Sequence, residues 1–136
     1  MAQFSFDIPD SLTRQLDALG DIDNIAPKMI RAGFPIVEKE LTRRSASHKR
    51  TGEMIASIEA TEPRKTENGH IGIVRPTGKD SKGVRNMEKM AYLEYGTSHQ
   101  KSTPVITPTI VATEDEVAEA MQEVFDEEVW IDSWNK

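Results

Sequence analysis

The sequence contains no cysteine. A disulfide framework, a thiolate metal site and a cysteine nucleophile are therefore excluded, and a reducing cytosolic setting is favoured. No run approaches the roughly 18 apolar residues of a membrane span. The opening MAQFSFDIPDSLTRQLD also lacks the basic start and apolar stretch of a secretory signal. Neither membrane insertion nor export by that route is expected. The G-x-S-x-G elbow, the Walker loop and the G-x-G-x-x-G fingerprint are missing as well, which leaves hydrolase, nucleotidase and dehydrogenase readings without a motif. His48, His70 and His99 stand far apart with no helical ligand spacing, so they are expected to be ordinary surface histidines. No metal, cofactor or catalytic residue is expected.

What is present is a chain of 136 residues, 37% hydrophobic and 29% charged, a length and balance suited to one soluble globular domain. Residues 1–23 are expected as an N-terminal arm, 76–88 as a flexible loop and 130–136 as a loose tail. The formal net charge is −6 and is unevenly spread. Residues 114–136 carry nine acids against Lys136 alone, or −8, so the remainder sums to +2. Such a split points to a solvated helix face or an interaction tail. The one dense basic stretch, KELTRRSASHKR, gathers Lys39, Arg43, Arg44, His48, Lys49 and Arg50. It comes with no RNP-like aromatics, zinc-ligand spacing or helix-turn-helix signature, and is read as a solvated or partner-facing helix end.

Along the chain, Leu12, Leu16 and Leu19 recur at helical spacing behind a cap at Asp10 or Ser11, with Gly20 just past the end. A longer helix is predicted from about Asn24 to Ser47, with Met29, Ile30, Phe34, Val37 and Leu41 on its apolar face; Gly33 and Pro35 threaten a kink or break. TGEMIASIEATEP reads as a helical turn or two leading into a strand. Asn68-Gly69 signals a hairpin into HIGIVRP. A last helix follows Pro108, with Ile110, Val117, Met121, Val124, Phe125 and Val129 on one face and the acids mostly on the other. This order of elements indicates an α+β fold.

The stretch MAYLEYGTSHQKSTPVITPTI, residues 90–110, is read as a stiff turn that presents a loop. Tyr92 and Tyr95 supply rigid area with a polar tip, Gly96 permits a positive φ, and Thr97 can bond nearby backbone. Pro104 and Pro108 hold an extended approach to the last helix. Glu94 is read as a packed, hydrogen-bonded structural glutamate in preference to a general acid, because no carboxylate partner stands at useful spacing.

Thr51, Gly52, Met54, Ser57 and Ile58 form T-G-x-[LM]-x-x-S-I, followed by Tyr92, Glu94, Tyr95, Gly96 and Thr97 and then by Pro104 and Pro108. This combination resembles the minor neck proteins of long-tailed phages, the family named for gene product ten of the Hong Kong phage ninety-seven. The family pattern is roughly Y-A-x-x-V-E-F-G-T, a polar loop, then P-F-x-x-P-A. Here Ala91-Tyr92 stand in reversed order, Val105 replaces the usual Phe and Thr109 the usual Ala.

The resemblance covers about residues 25–128. It implies an α+β fold in which a long N-terminal helix and a C-terminal helix pack on a small antiparallel β-sheet. It also implies a structural role in phage or prophage morphogenesis, at the neck that joins a DNA-filled capsid to its tail. The partners implied are other neck, connector or tail proteins and further copies in a homo-oligomeric ring, with DNA nearby but not specifically bound and no membrane. The implied location is the virion, by way of the host cytoplasm. An acidic helix lining a DNA channel would keep DNA from sticking. A tail-completion or tail-terminator protein is the alternative within that class. An acidic regulatory module that captures a basic partner or mimics DNA is the alternative outside it.

Overall fold

The computed structural model describes residues 4–7, 20, 22–48 and 52–134, with side chains at 20, 23–48 and 52–128. Thr51 and the expected helix of Leu12, Leu16 and Leu19 lie outside the described residues, as does the side chain of Val129. The elements in order are β1 (Phe4–Asp7), α1 (Ile22–Ser45) with a 3₁₀ turn at Ala46–His48, α2 (Glu53–Ala56), β2 (Ile58–Ala60), β3 (Arg64–Thr66), β4 (Gly69–Pro76), α3 (Asn86–Tyr95) and α4 (Ile106–Trp134). The fold is α+β: two long helices and a small antiparallel sheet.

β4 is the centre of the sheet. β1 pairs along one edge, Phe4 opposite Val74 through Asp7 opposite Ile71. On the other edge β2 covers Pro76 to Val74 and β3 covers Ile71 to Gly69. Between β2 and β3 the ladder is carried by Thr61, whose amide donates to the Ile73 carbonyl and whose Oγ1 accepts the Ile73 amide. The β3–β4 hairpin matches the expectation from Asn68-Gly69, displaced by one residue. Glu67 and Asn68 form the turn, and the positive φ of 138° falls on Gly69.

Burial alternates along β4: His70, Gly72, Val74 and Pro76 are buried, and the residues between them are half-buried. The buried face receives α1. A Cβ placed on Gly72 would strike the side chains of Ile30 and Phe34, so the missing side chain is what lets helix and strand approach. All five residues expected on the apolar face of α1 are buried, together with Ile25 and Ala26. Buried positions extend around more than half of that helix because it is covered twice, by the sheet and by α4. The C-terminal helix thus lies on α1 and reaches the sheet through it. Lys28 pairs with Glu128 at 3.0 Å, which makes the two helices antiparallel.

Gly33 and Pro35 do not break α1. Pro35 cannot donate to the Arg31 carbonyl, but Arg31 and Pro35 are both exposed, so water can take that acceptor. The helix also begins two residues before the expected Asn24 cap and ends in the 3₁₀ turn before Ser47 is passed. β1 is an element the sequence reading did not identify. A second difference concerns 86–95. The expected stiff turn around Tyr92-Glu94-Tyr95 is a helix, α3, which begins inside the segment expected to be a loop.

The apolar face of α4 is narrower than expected and rotated. Ile106, Val117, Met121 and Phe125 are buried and Val124 packs against them, but Ile110 is 38% exposed. Thr109 and Thr113 take its place in the core. Each satisfies its hydroxyl on its own helix, Thr109 Oγ1 donating to the Val105 carbonyl at 2.6 Å and Thr113 Oγ1 to the Thr109 carbonyl at 2.7 Å. That local bond is why two threonines can be buried there without an unmade hydrogen bond.

Candidate functional site

The residues that carry the second motif lie where α3 turns into α4. Glu94, on the last turn of α3, is 8% exposed and faces the start of α4. Its Oε2 accepts the amides of Val105 (2.9 Å) and Ile106 (2.8 Å). Its Oε1 accepts the amide and the hydroxyl of Thr107, at 3.1 and 2.6 Å. The first amides of a helix have no partner within it, and a carboxylate placed there also meets the positive end of the helix dipole. A residue eleven positions upstream therefore caps α4. Burial, the largest single influence, pushes the Glu94 carboxyl up. The Thr107 hydroxyl and the amides of Ile106, Thr107 and Val105 together outweigh it and hold the group below its ordinary value of 4.5. An ionised acceptor suits this cap. Proton donation to a substrate does not.

Between the two helices the chain is clamped at both ends. The Gly96 amide donates to the Tyr92 carbonyl, ending α3, and the Thr103 amide returns to the Leu93 carbonyl at 2.7 Å. Gly96 has φ +75°, and a Cβ there would lie 2.9 Å from the backbone of both Gln100 and Ser102. Its positive φ agrees with the sequence expectation. So does Thr97, whose Oγ1 accepts the His99 amide at 3.1 Å, while Thr97 and Gln100 exchange backbone bonds. Residues 97–104 are all exposed, Pro104 included; Pro108 is half-buried in the first turn of α4. Tyr92 and Tyr95 point outward, 46% and 71% exposed.

The first motif lies on the neighbouring element. Gly52 (φ +84°) precedes α2, and Met54 within it is buried; α2 packs against α3. Ser57 Oγ donates to the Met54 carbonyl, and the Ser57 carbonyl accepts both the amide and the hydroxyl of Thr77, each at 2.9 Å. Glu53 accepts the amide and hydroxyl of Ser81. The first motif thus borders the segment between β4 and α3.

That segment is organised around Asp80, which the sequence reading passed over. Asp80 Oδ1 accepts the Lys82 and Val84 amides at 2.9 Å, and Oδ2 pairs with Lys89. The Lys89 ammonium, then the Val84 amide, hold this carboxyl below the ordinary carboxylate value. Asp-x-x-Gly, at 80–83, is the signal that could have found the turn. Asn86 closes it, its amide donating to Gly78 and its Nδ2 to Thr77.

Elsewhere, Arg43 and Arg44 in the basic stretch both bond Glu40. His70 departs from the expectation of a surface histidine. It is buried on the inner face of β4, with Nε2 3.2 Å from Asp23. Among the described residues no group of three histidines or acids is placed to hold a metal ion, and no helix is long and apolar enough to cross a membrane. No protein-family model matches the chain, and no curated protein or solved structure is found to be similar to it.

Proposed function

We propose that this chain is a structural morphogenesis protein of a phage or prophage, acting at the head-tail junction and assembling through protein-protein contacts in a ring. The reading rests on one observation: Glu94, Gly96 and Thr97, central to the resemblance to the minor neck proteins, are also the residues that clamp an exposed loop between two helices. An exposed loop with fixed ends can dock without first being ordered, which removes part of the entropic cost of binding. Tyr92 and Tyr95 beside it are the residue type that anchors protein interfaces. Around a symmetric ring, modest contacts of this kind add up through multivalency.

The test is electron microscopy of particles from the source phage or lysogen, with the protein carrying a gold-detectable tag. Gold at the capsid-to-tail junction is the expected result. Gold on isolated tails but not on isolated heads would assign a tail-completion or tail-terminator role. Particles free of gold, with the tagged protein functional and soluble in the lysate, would overturn the virion reading and favour a regulatory binder.

A further inference from the structure

Two surfaces of this chain have no partner among the described residues, and they complement one another. The first is the outer stripe of α3. Glu88, Tyr92 and Tyr95 recur at four- and three-residue spacing, opposite the buried Met87, Met90, Leu93 and Glu94, and the exposed Arg85 directly precedes the first turn. The preceding loop adds Lys79, Lys82 and the exposed Val84. Glu88 is the one acid on the stripe. Lys79, Lys82 and Arg85 outnumber it, and none of the three makes an ion pair among the described residues.

The second surface is the outer side of α4. Opposite its buried stripe run Val111, 70% exposed, and then Asp115, Glu119, Gln122 and Asp126, all exposed. These acids meet no cation among the described residues; Asp126 accepts only Gln122 Nε2. One surface is therefore aromatic with a basic end, and the other apolar with an acidic end.

We propose that the two surfaces are the halves of one head-to-tail interface between copies of this chain. α3 of one copy lies antiparallel along α4 of the next, Tyr95 and Tyr92 over Val111, Arg85 and Lys82 over Asp115 and Glu119. The lengths agree: at 1.5 Å per residue, Tyr95 to Arg85 spans about 15 Å and Val111 to Glu119 about 12 Å. A second copy is the occupant because the same molecule supplies both signs of charge, each beside an exposed apolar residue. Pairing α4 with α4 would instead set acids against acids. Unlike surfaces meeting head to tail leave one of each free on every copy, so the contact propagates to a ring or a filament. The proposal rests on the ring reading above only for closure.

Charge reversal tests it. The loop variant Lys82→Glu/Arg85→Glu and the helix variant Asp115→Lys/Glu119→Lys change exposed side chains only, and circular dichroism would verify their folding. Analytical ultracentrifugation at low salt is expected to show concentration-dependent association of the unaltered chain, weakened about a hundredfold in either variant. Association should return when both pairs are reversed in one chain, or when the two variants are mixed. Added salt should weaken the unaltered contact. A chain that stays monomeric at low salt, or variants that associate unchanged, as expected if α4 faced a DNA channel, would overturn the interface. Gold at the junction with no such association would leave the neck reading standing alone. Association rescued by double reversal, with no gold on particles, would leave the interface standing alone.

Discussion

Glu94 satisfies four donors with two oxygens, so its removal should cost more than that of an exposed cap. Glu94→Ala strands buried amides and is expected to destabilise the fold by about 3 kcal/mol in urea unfolding. Glu94→Gln keeps the shape but turns one acceptor oxygen into an NH2 group that faces two donors, and should cost about 2 kcal/mol. Because the folded carboxyl is held below its ordinary value, its contribution is fully present above the unfolded pKa and is lost as pH falls through the folded one. Stability followed from neutral to acid pH should therefore decline through and below the carboxylate range, and Glu94→Gln should flatten that decline. Gly96→Ala meets both a left-handed backbone and the backbone of Gln100 and Ser102, and about 2 kcal/mol or more of lost stability is expected. The sequence was enough to identify Glu94 as structural, since no second carboxylate accompanied it. Its partners were not legible, because they lie eleven to thirteen residues away across a loop whose path is set by tertiary structure.

Among the elements, α1 was readable because a stripe of Met, Ile, Phe, Val and Leu at helical spacing outweighs one glycine and two prolines, Pro27 near the first turn and Pro35 facing water. α3 was hidden because its buried face includes Asn86 and Glu94, so its pattern of methionine and leucine is interrupted by polar residues with partners on other segments. β1 was missed because four residues carry too short an alternation to stand out, and its partner strand β4 lies about half the chain away. On α4 the apolar periodicity placed Ile110 inside, whereas the threonines at 109 and 113 are the buried ones. Met121→Ala should accordingly cost about 2 to 5 kcal/mol by thermal or urea unfolding, and Ile110→Ser should change stability by less than about 1 kcal/mol. Gly72→Ala tests the α1–β4 contact. The added methyl group meets Ile30 and Phe34, and a loss of about 1 to 3 kcal/mol is expected.

At the scale of the molecule, α1 is the layer between the sheet and α4. Deleting residues 1–7 removes the β1 ladder and bares one edge of β4, and exposed edges recruit other strands. The shortened chain is expected to melt several degrees lower and to aggregate on heating, as followed by differential scanning calorimetry with light scattering. The antiparallel seating of α4 on α1 also orders events in time. The face of α1 that α4 covers leaves the ribosome long before α4 is made, since the sheet and α3 lie between them in the chain. The nascent protein can pair β2, β3 and β4 locally, but one flank of its first long helix stays open to water until α4 emerges. Such long-range closure is slow to form, and the exposed flank is the surface that a chaperone, or a second nascent chain on the same message, would meet first.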